Sequence, residues 1–97
     1  MQIKILTGAA ATGKTRKLRE IEANLVNAEK AVSFICGEHY SSTALLAHVA
    51  GRAKQGPRTL LIDDCTQQQI NDLRGWQAAM KDNDHFKKMT IWVAKRA

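Results

Sequence analysis

The chain reads as an α/β protein, a three-layer sandwich with a mainly parallel sheet of about four strands in one small domain over residues 1–97. Three observations predict it. Short apolar runs and helical-period segments alternate four times along 97 residues. A glycine-bounded loop joins the first strand to the first helix, and a later apolar run ends abruptly in two aspartates, as a buried parallel strand does.

Strand one is Gln2-Ile3-Lys4-Ile5-Leu6, and helix one follows over about 14–28, with Leu18, Ile21, Leu25 and Val26 expected on its inward face. Ala31-Val32-Ser33-Phe34-Ile35-Cys36 is rich in β-branched and aromatic residues and reads as strand two. Ser41 or Ser42 can cap helix two, over about 42–54, whose apolar positions are Leu45, Leu46, Val49 and Ala53. Gly56-Pro57 stops that helix before the apolar run Arg58-Thr59-Leu60-Leu61-Ile62-Asp63-Asp64. Thr66 and Gln69 have capping-box spacing and open helix three, over about 67–81. Ile70, Leu73, Trp76 or Gln77, and Met80 carry its apolar period, although Gly75 weakens its middle. Asp82-Asn83-Asp84 reads as a loop and Met89-Thr90-Ile91-Trp92-Val93-Ala94 as strand four.

Composition bounds the function. Hydrophobic residues make up 44% of the chain with a single proline, enough for a folded core, and no apolar run is long enough for a membrane span. The N-terminus lacks the basic-then-apolar layout of a signal peptide, so a cytoplasmic location is expected. Cys36 and Cys65 do not make a disulfide framework. A net charge of +6 and a pI near 9.7 favour a polyanionic partner, in part accounted for by nucleotide phosphates.

The most informative segment is Gly8-Ala9-Ala10-Ala11-Thr12-Gly13-Lys14-Thr15, a complete G-x-x-x-x-G-K-[ST] pattern between strand and helix. Gly8 and Gly13 allow a tight turn whose N–H groups face inward, at a helix N-terminus that favours anions. Lys14 would reach the β- and γ-phosphates, the Thr15 hydroxyl would ligate Mg²⁺, and residues 8–15 with Arg16 are the expected nucleotide-binding set. The bland reading is a Gly/Ala-rich turn. For Asp63-Asp64, at the strand edge where ligands of parallel sheets collect, the bland reading is a strand-end turn with a helix cap.

On these residues the chain resembles the P-loop NTPase superfamily, with residues 8–15 as Walker A and residues 60–63 as Walker B. The resemblance implies P-loop topology, an adenine nucleotide, Mg²⁺ held by Thr15 and Asp63, and Lys14 and Asp64 as catalytic residues. Asp64 occupies the position of the family's water-polarising glutamate. The helicase, recombinase and AAA+ branch places strand four between strands one and three, whereas the kinase and GTPase branch sets strand three beside strand one. The paired aspartates lean to the former. Its polar sensor near the end of strand four is missing, since Val93 and Ala94 stand there, which argues for slow or no hydrolysis. The chain has no N-K-x-D tetrapeptide for reading guanine and no lid insertion.

Function therefore divides between Mg²⁺-dependent ATP binding with slow hydrolysis, a non-catalytic nucleotide- or phosphate-responsive module or nucleic-acid accessory protein, and a site completed by a second copy or a larger complex. Arg52, Arg58, Arg74 and Arg96 are the arginines available for such completion. Arg16, Lys17 and Arg19, and Lys81, Lys87 and Lys88, form basic groups that read as solvated faces or a nucleic-acid surface. Cys36, His39 and Cys65, with Glu38 or Asp64, could gather round a metal, but buried thiols are the simpler reading. Trp76 and Trp92 read as core.

Overall fold

A computed structural model describes residues 1–8 and 13–96. The strands are β1 (Gln2–Leu6), β2 (Val32–Cys36), β3 (Thr59–Cys65) and β4 (Thr90–Lys95), and the helices α1 (Lys14–Asn27), α2 (Ser42–Lys54) and α3 (Gln67–Ala79). All strand pairs are parallel and the order is β1-β4-β3-β2. β4 thus lies between β1 and β3, so the loop leaving β1 and the acids ending β3 flank the end of one central strand.

Local chemistry explains the boundaries. The Ser41 side chain accepts a hydrogen bond from the Ala44 N–H and caps α2. At α3, Thr66 accepts from the Gln69 N–H while the Gln69 side chain accepts from the Thr66 N–H, a complete capping box. α3 runs through Gly75 without a break, with Ile70, Leu73 and Trp76 packed on the sheet on either side of it. The helix ends at Ala79, two residues short of expectation, and a turn leads on toward β4.

The sheet divides the core into two layers. On one face, Ile35, Leu60, Ile62, Ile91 and Val93 pack with Leu45, Val49 and Ala53 of α2 and Ile70 and Leu73 of α3. Phe86 and Met89 seal that layer, and Trp76 joins it half-buried. On the other face, α1 alone buries Leu18 against Leu61 and Ala94, with Leu6, Ile21, Phe34 and Trp92 partly covered. Leu18, Ile21 and Leu25 follow one helical stripe inward, but Val26 is 57% exposed, contrary to its expected place. It lies about 100° round the helix from Leu25 and faces away from the sheet. Among the described residues no helix is long and apolar enough to cross a membrane.

Candidate functional site

At the carboxyl edge of the sheet, two glycines shape the entry to α1. Gly8 has φ 140° and Gly13 has φ 81°, both in the range that L side chains rarely adopt. Space is not the constraint at Gly13, where an added Cβ would meet nothing within 4 Å. Backbone direction is, because a left-handed residue there starts α1 at Lys14. Ala9, Ala10, Ala11 and Thr12, expected in the phosphate loop, lie outside the described residues.

Lys14 is already directed. Its Nζ donates to the Gly8 carbonyl at 2.8 Å and to the Lys95 carbonyl at 2.6 Å, tying the glycine loop to the end of β4. Thr15 donates its hydroxyl to Asp63 Oδ2 at 2.8 Å, and the second carboxylate oxygen, Oδ1, accepts the Asp64 N–H at 2.9 Å. Asp63 is therefore held from both sides, and a threonine hydroxyl and a carboxylate oxygen stand together at the strand end. These are hard oxygen donors, the kind that take Mg²⁺ alongside phosphate oxygens and water. The residues present fit that ion. Among the described residues no three His, Cys, Asp or Glu side chains gather as a metal site, so Cys36, His39 and Cys65 form none.

Asp64 is reached through an irregularity that the sequence pattern does not reveal. β3 pairs with β4 through Ile62↔Val93, then resumes at Cys65↔Lys95, so β3 carries one extra residue across that interval. Asp64 itself has φ 55°, a left-handed conformation that aspartate tolerates better than most residues. Strict alternation would aim Asp64 at the dry α2–α3 face and Cys65 at the other. The bulge reverses this: Cys65 is fully buried in the α2–α3 layer and Asp64 turns to the site. Burying the charge would have cost far more than one strained residue.

Gly37, in the short 3-10 turn Gly37–His39, presses against this bulge. A Cβ there would lie 3.0 Å from the Asp63 carbonyl oxygen and 3.1 Å from both the Asp64 oxygen and Cys65 Sγ. Gln69, buried, donates to the Gly37 and Tyr40 carbonyls at 2.9 and 3.0 Å and fixes the turn. One glutamine thus caps α3 and anchors the loop bearing Glu38 and His39, both exposed.

Arg96, immediately after β4, completes the cluster. Its Nε donates to Asp64 Oδ1 at 3.0 Å, its second guanidinium nitrogen reaches the Asp64 carbonyl at 3.3 Å, and its N–H donates to the Cys65 carbonyl at 2.6 Å. This guanidinium holds the Asp64 carboxyl below the ordinary carboxylate range, by its hydrogen bond and its charge, helped by the charge of Lys14. Val93 and Ala94 are buried core, as their apolar character requires. The polar residue at this strand end lies two positions beyond them, past the end of the apolar pattern. Beside the cluster, Ile5, Leu6 and Thr7 with Lys14, Arg16, Lys17 and Glu20 line an open cleft of about 500 Å³.

No family model matches this chain. No match emerges among curated proteins or solved structures either. What the site does is therefore argued from its own geometry.

Proposed function

We propose that the carboxyl edge of the sheet is a Mg²⁺-dependent nucleotide site of P-loop type, with ATP as its ligand and slow hydrolysis as the activity. The observation that carries this reading is the convergence of Lys14, Thr15 and Asp63 from two distant segments at one strand edge, with Thr15 bonded to Asp63 at 2.8 Å. A strand-to-helix turn without a ligand has no need of a lysine held by backbone carbonyls or of a hydroxyl–carboxylate pair. The strand order, with β4 between β1 and β3, supports the helicase, recombinase and AAA+ branch of the resemblance over the kinase branch.

In this reading Lys14 exchanges its two carbonyl partners for β- and γ-phosphate oxygens, a stronger charge-assisted contact. Thr15 and Asp63 would hold Mg²⁺, which would supply charge to offset the phosphates. Arg16 and Lys17 line the cleft into which the nucleoside extends over Ile5 and Leu6. ATP titrations of the parent chain and Asp63→Asn, with and without Mg²⁺, test this. The parent should bind ATP more tightly with Mg²⁺, and the variant should lose that enhancement. No binding at millimolar nucleotide by folded protein would overturn it.

A second reading, a nucleotide-responsive module that does not turn over, draws support from the Asp64–Arg96 pair, since a paired carboxylate is not free to orient water. Asp64→Ala separates the two. Lost turnover with unchanged affinity supports the enzyme, whereas a parent protein that binds ATP without turning it over is the module.

A further inference from the structure

At the amino edge of the sheet, where α2 and α3 end and β3 and β4 begin, lies a cavity that the nucleotide reading does not use. Its volume is about 610 Å³, with Trp76, Met80 and Phe86 on its apolar side and Lys54, Asn83 and His85 on its polar side. That is within the range of small-molecule sites, which pair an apolar body with a few polar groups. The aromatic walls are set without a ligand. The Trp76 and Phe86 ring centroids are 5.2 Å apart at 59°, and His85 meets Phe86 edge-on at 5.0 Å and 72°. The turn that carries them is pinned as well. The Asn83 N–H donates to the Met80 carbonyl and the Phe86 N–H to the Asn83 carbonyl. His85 Nε2 lies 3.1 Å from the Ala53 carbonyl, which can only accept, so Nε2 carries the hydrogen there.

Two helix ends would by themselves favour a cation here. Their carbonyls, however, are already taken. The Gln55 N–H holds that of Arg52, His85 that of Ala53, the Met80 N–H that of Trp76, and the Asn83 N–H that of Met80. Lys54 makes no ion pair among the described residues, and no carboxylate lines the cavity. The Asn83 side-chain oxygen accepts the His85 N–H at 2.9 Å, which leaves its amide N–H groups to donate. The unmet polar capacity of the cavity is therefore one ammonium and one amide, both donors.

We propose that this cavity is a second ligand site, taking a small planar aromatic carboxylate. The ring packs among Trp76, Met80 and Phe86, where aromatic and thioether walls suit a flat π-system. Its carboxylate meets Lys54 and the Asn83 amide. One ammonium and one amide match a single carboxylate, whereas a di- or triphosphate would need more donors. The site lies at the other edge of the sheet from the glycine loop, and its test requires no nucleotide.

Naphthoate and the uncharged naphthalenemethanol serve as probes, titrated by calorimetry into the parent, Lys54→Gln and Ala50→Met. The indole N–H resonances of Trp76 and Trp92 locate the binding, since the two rings lie on opposite faces of the sheet. Naphthoate should bind the parent and shift the Trp76 resonance while leaving that of Trp92 in place. The alcohol should bind about 5- to 10-fold more weakly, and Lys54→Gln should bring the two probes within about 2-fold of each other. Ala50 lies on the cavity wall, so the longer side chain of Ala50→Met should weaken both probes about 10-fold or more. Thermal midpoints check that both variants fold; Lys54 is exposed, so Lys54→Gln and the indole signals serve if Ala50→Met does not. A folded parent that binds no naphthoate at millimolar concentration, or a shift at Trp92 in place of Trp76, would overturn the site. Equal affinity for acid and alcohol would overturn the carboxylate as its ligand.

Discussion

Leu61 and Ile62 are neighbours on β3 and both fully buried, yet they face interiors of different quality. Ile62 points into a layer closed by two helices and by Phe86 and Met89. Leu61 points into a layer covered by α1 alone, where Phe34 and Trp92 remain half-buried. Cationic side chains close what the missing helix leaves open. The Arg19 guanidinium lies 3.6 Å from the Phe34 ring centroid, and Lys4 Nζ lies 4.8 Å from that of Trp92. Each such lid is worth about 0.5–1 kcal/mol at an exposed position, less than an aliphatic side chain packed in its place. The difference teaches that the deeper packing lies on the α2–α3 face, while α1 covers a thinner layer and carries Lys14 and Thr15 at its start. Fold and site should therefore respond separately to substitution.

The largest expected effect is on the closed face. Leu73→Ala removes a residue 1% exposed and leaves a cavity between α3 and the sheet. It should cost about 2–5 kcal/mol and lower the thermal midpoint by roughly 10 °C or more. Phe34→Ala deletes more atoms, but from the thin face, and should cost only about 1–2 kcal/mol because the ring is incompletely buried and covered by the exposed Arg19. Thermal melts of both variants would break the comparison if Phe34→Ala proved the more damaging.

Cys65 sharpens the same contrast through pH. Burial, with the charges of Asp64 and Asp63 behind it, pushes its thiol up from 9.0 to about 12. The unfolded thiol ionises first, so stability is full below about 9 and declines as pH rises toward 12. Cys65→Ala should flatten that part of the stability curve relative to the parent. In native protein at neutral pH only Cys36, half-exposed, should react with a thiol reagent, with both reacting after denaturation. Rapid modification of Cys65 in the native state would mean the closed face is not closed.

Much of this architecture was legible in the chain. The strand-helix alternation, the Ser41 cap and the Thr66–Gln69 box are local signals, and the structure places the corresponding elements within two residues of expectation. The glycines of residues 8–15 and the acids after Ile62 were legible as well, because their chemistry is written in residue type. Hidden features depend on pairing across sequence distance. The bulge at Asp64 follows from keeping that carboxylate out of a layer built by α2 and α3, which no window around residue 64 contains. Arg96 looks like a polar tail until the Cys65↔Lys95 register sets it beside Asp64. Gln69 is legible as a cap, but its hold on Gly37 and Tyr40 spans about thirty residues.

The central claim, that this edge binds nucleotide phosphate, is tested most directly by ATP affinity and thermal midpoint of the parent and Lys14→Ala on one preparation. Lys14 gives up one exposed hydrogen bond, to the Gly8 carbonyl, and one part-buried, to the Lys95 carbonyl, so the midpoint should fall only modestly. Removing its charge from a site facing several phosphate oxygens should weaken ATP binding roughly 10- to 100-fold. Equal affinity in the folded variant would show that Lys14 only ties the turn to β4, and the account of this edge as a phosphate site would be wrong.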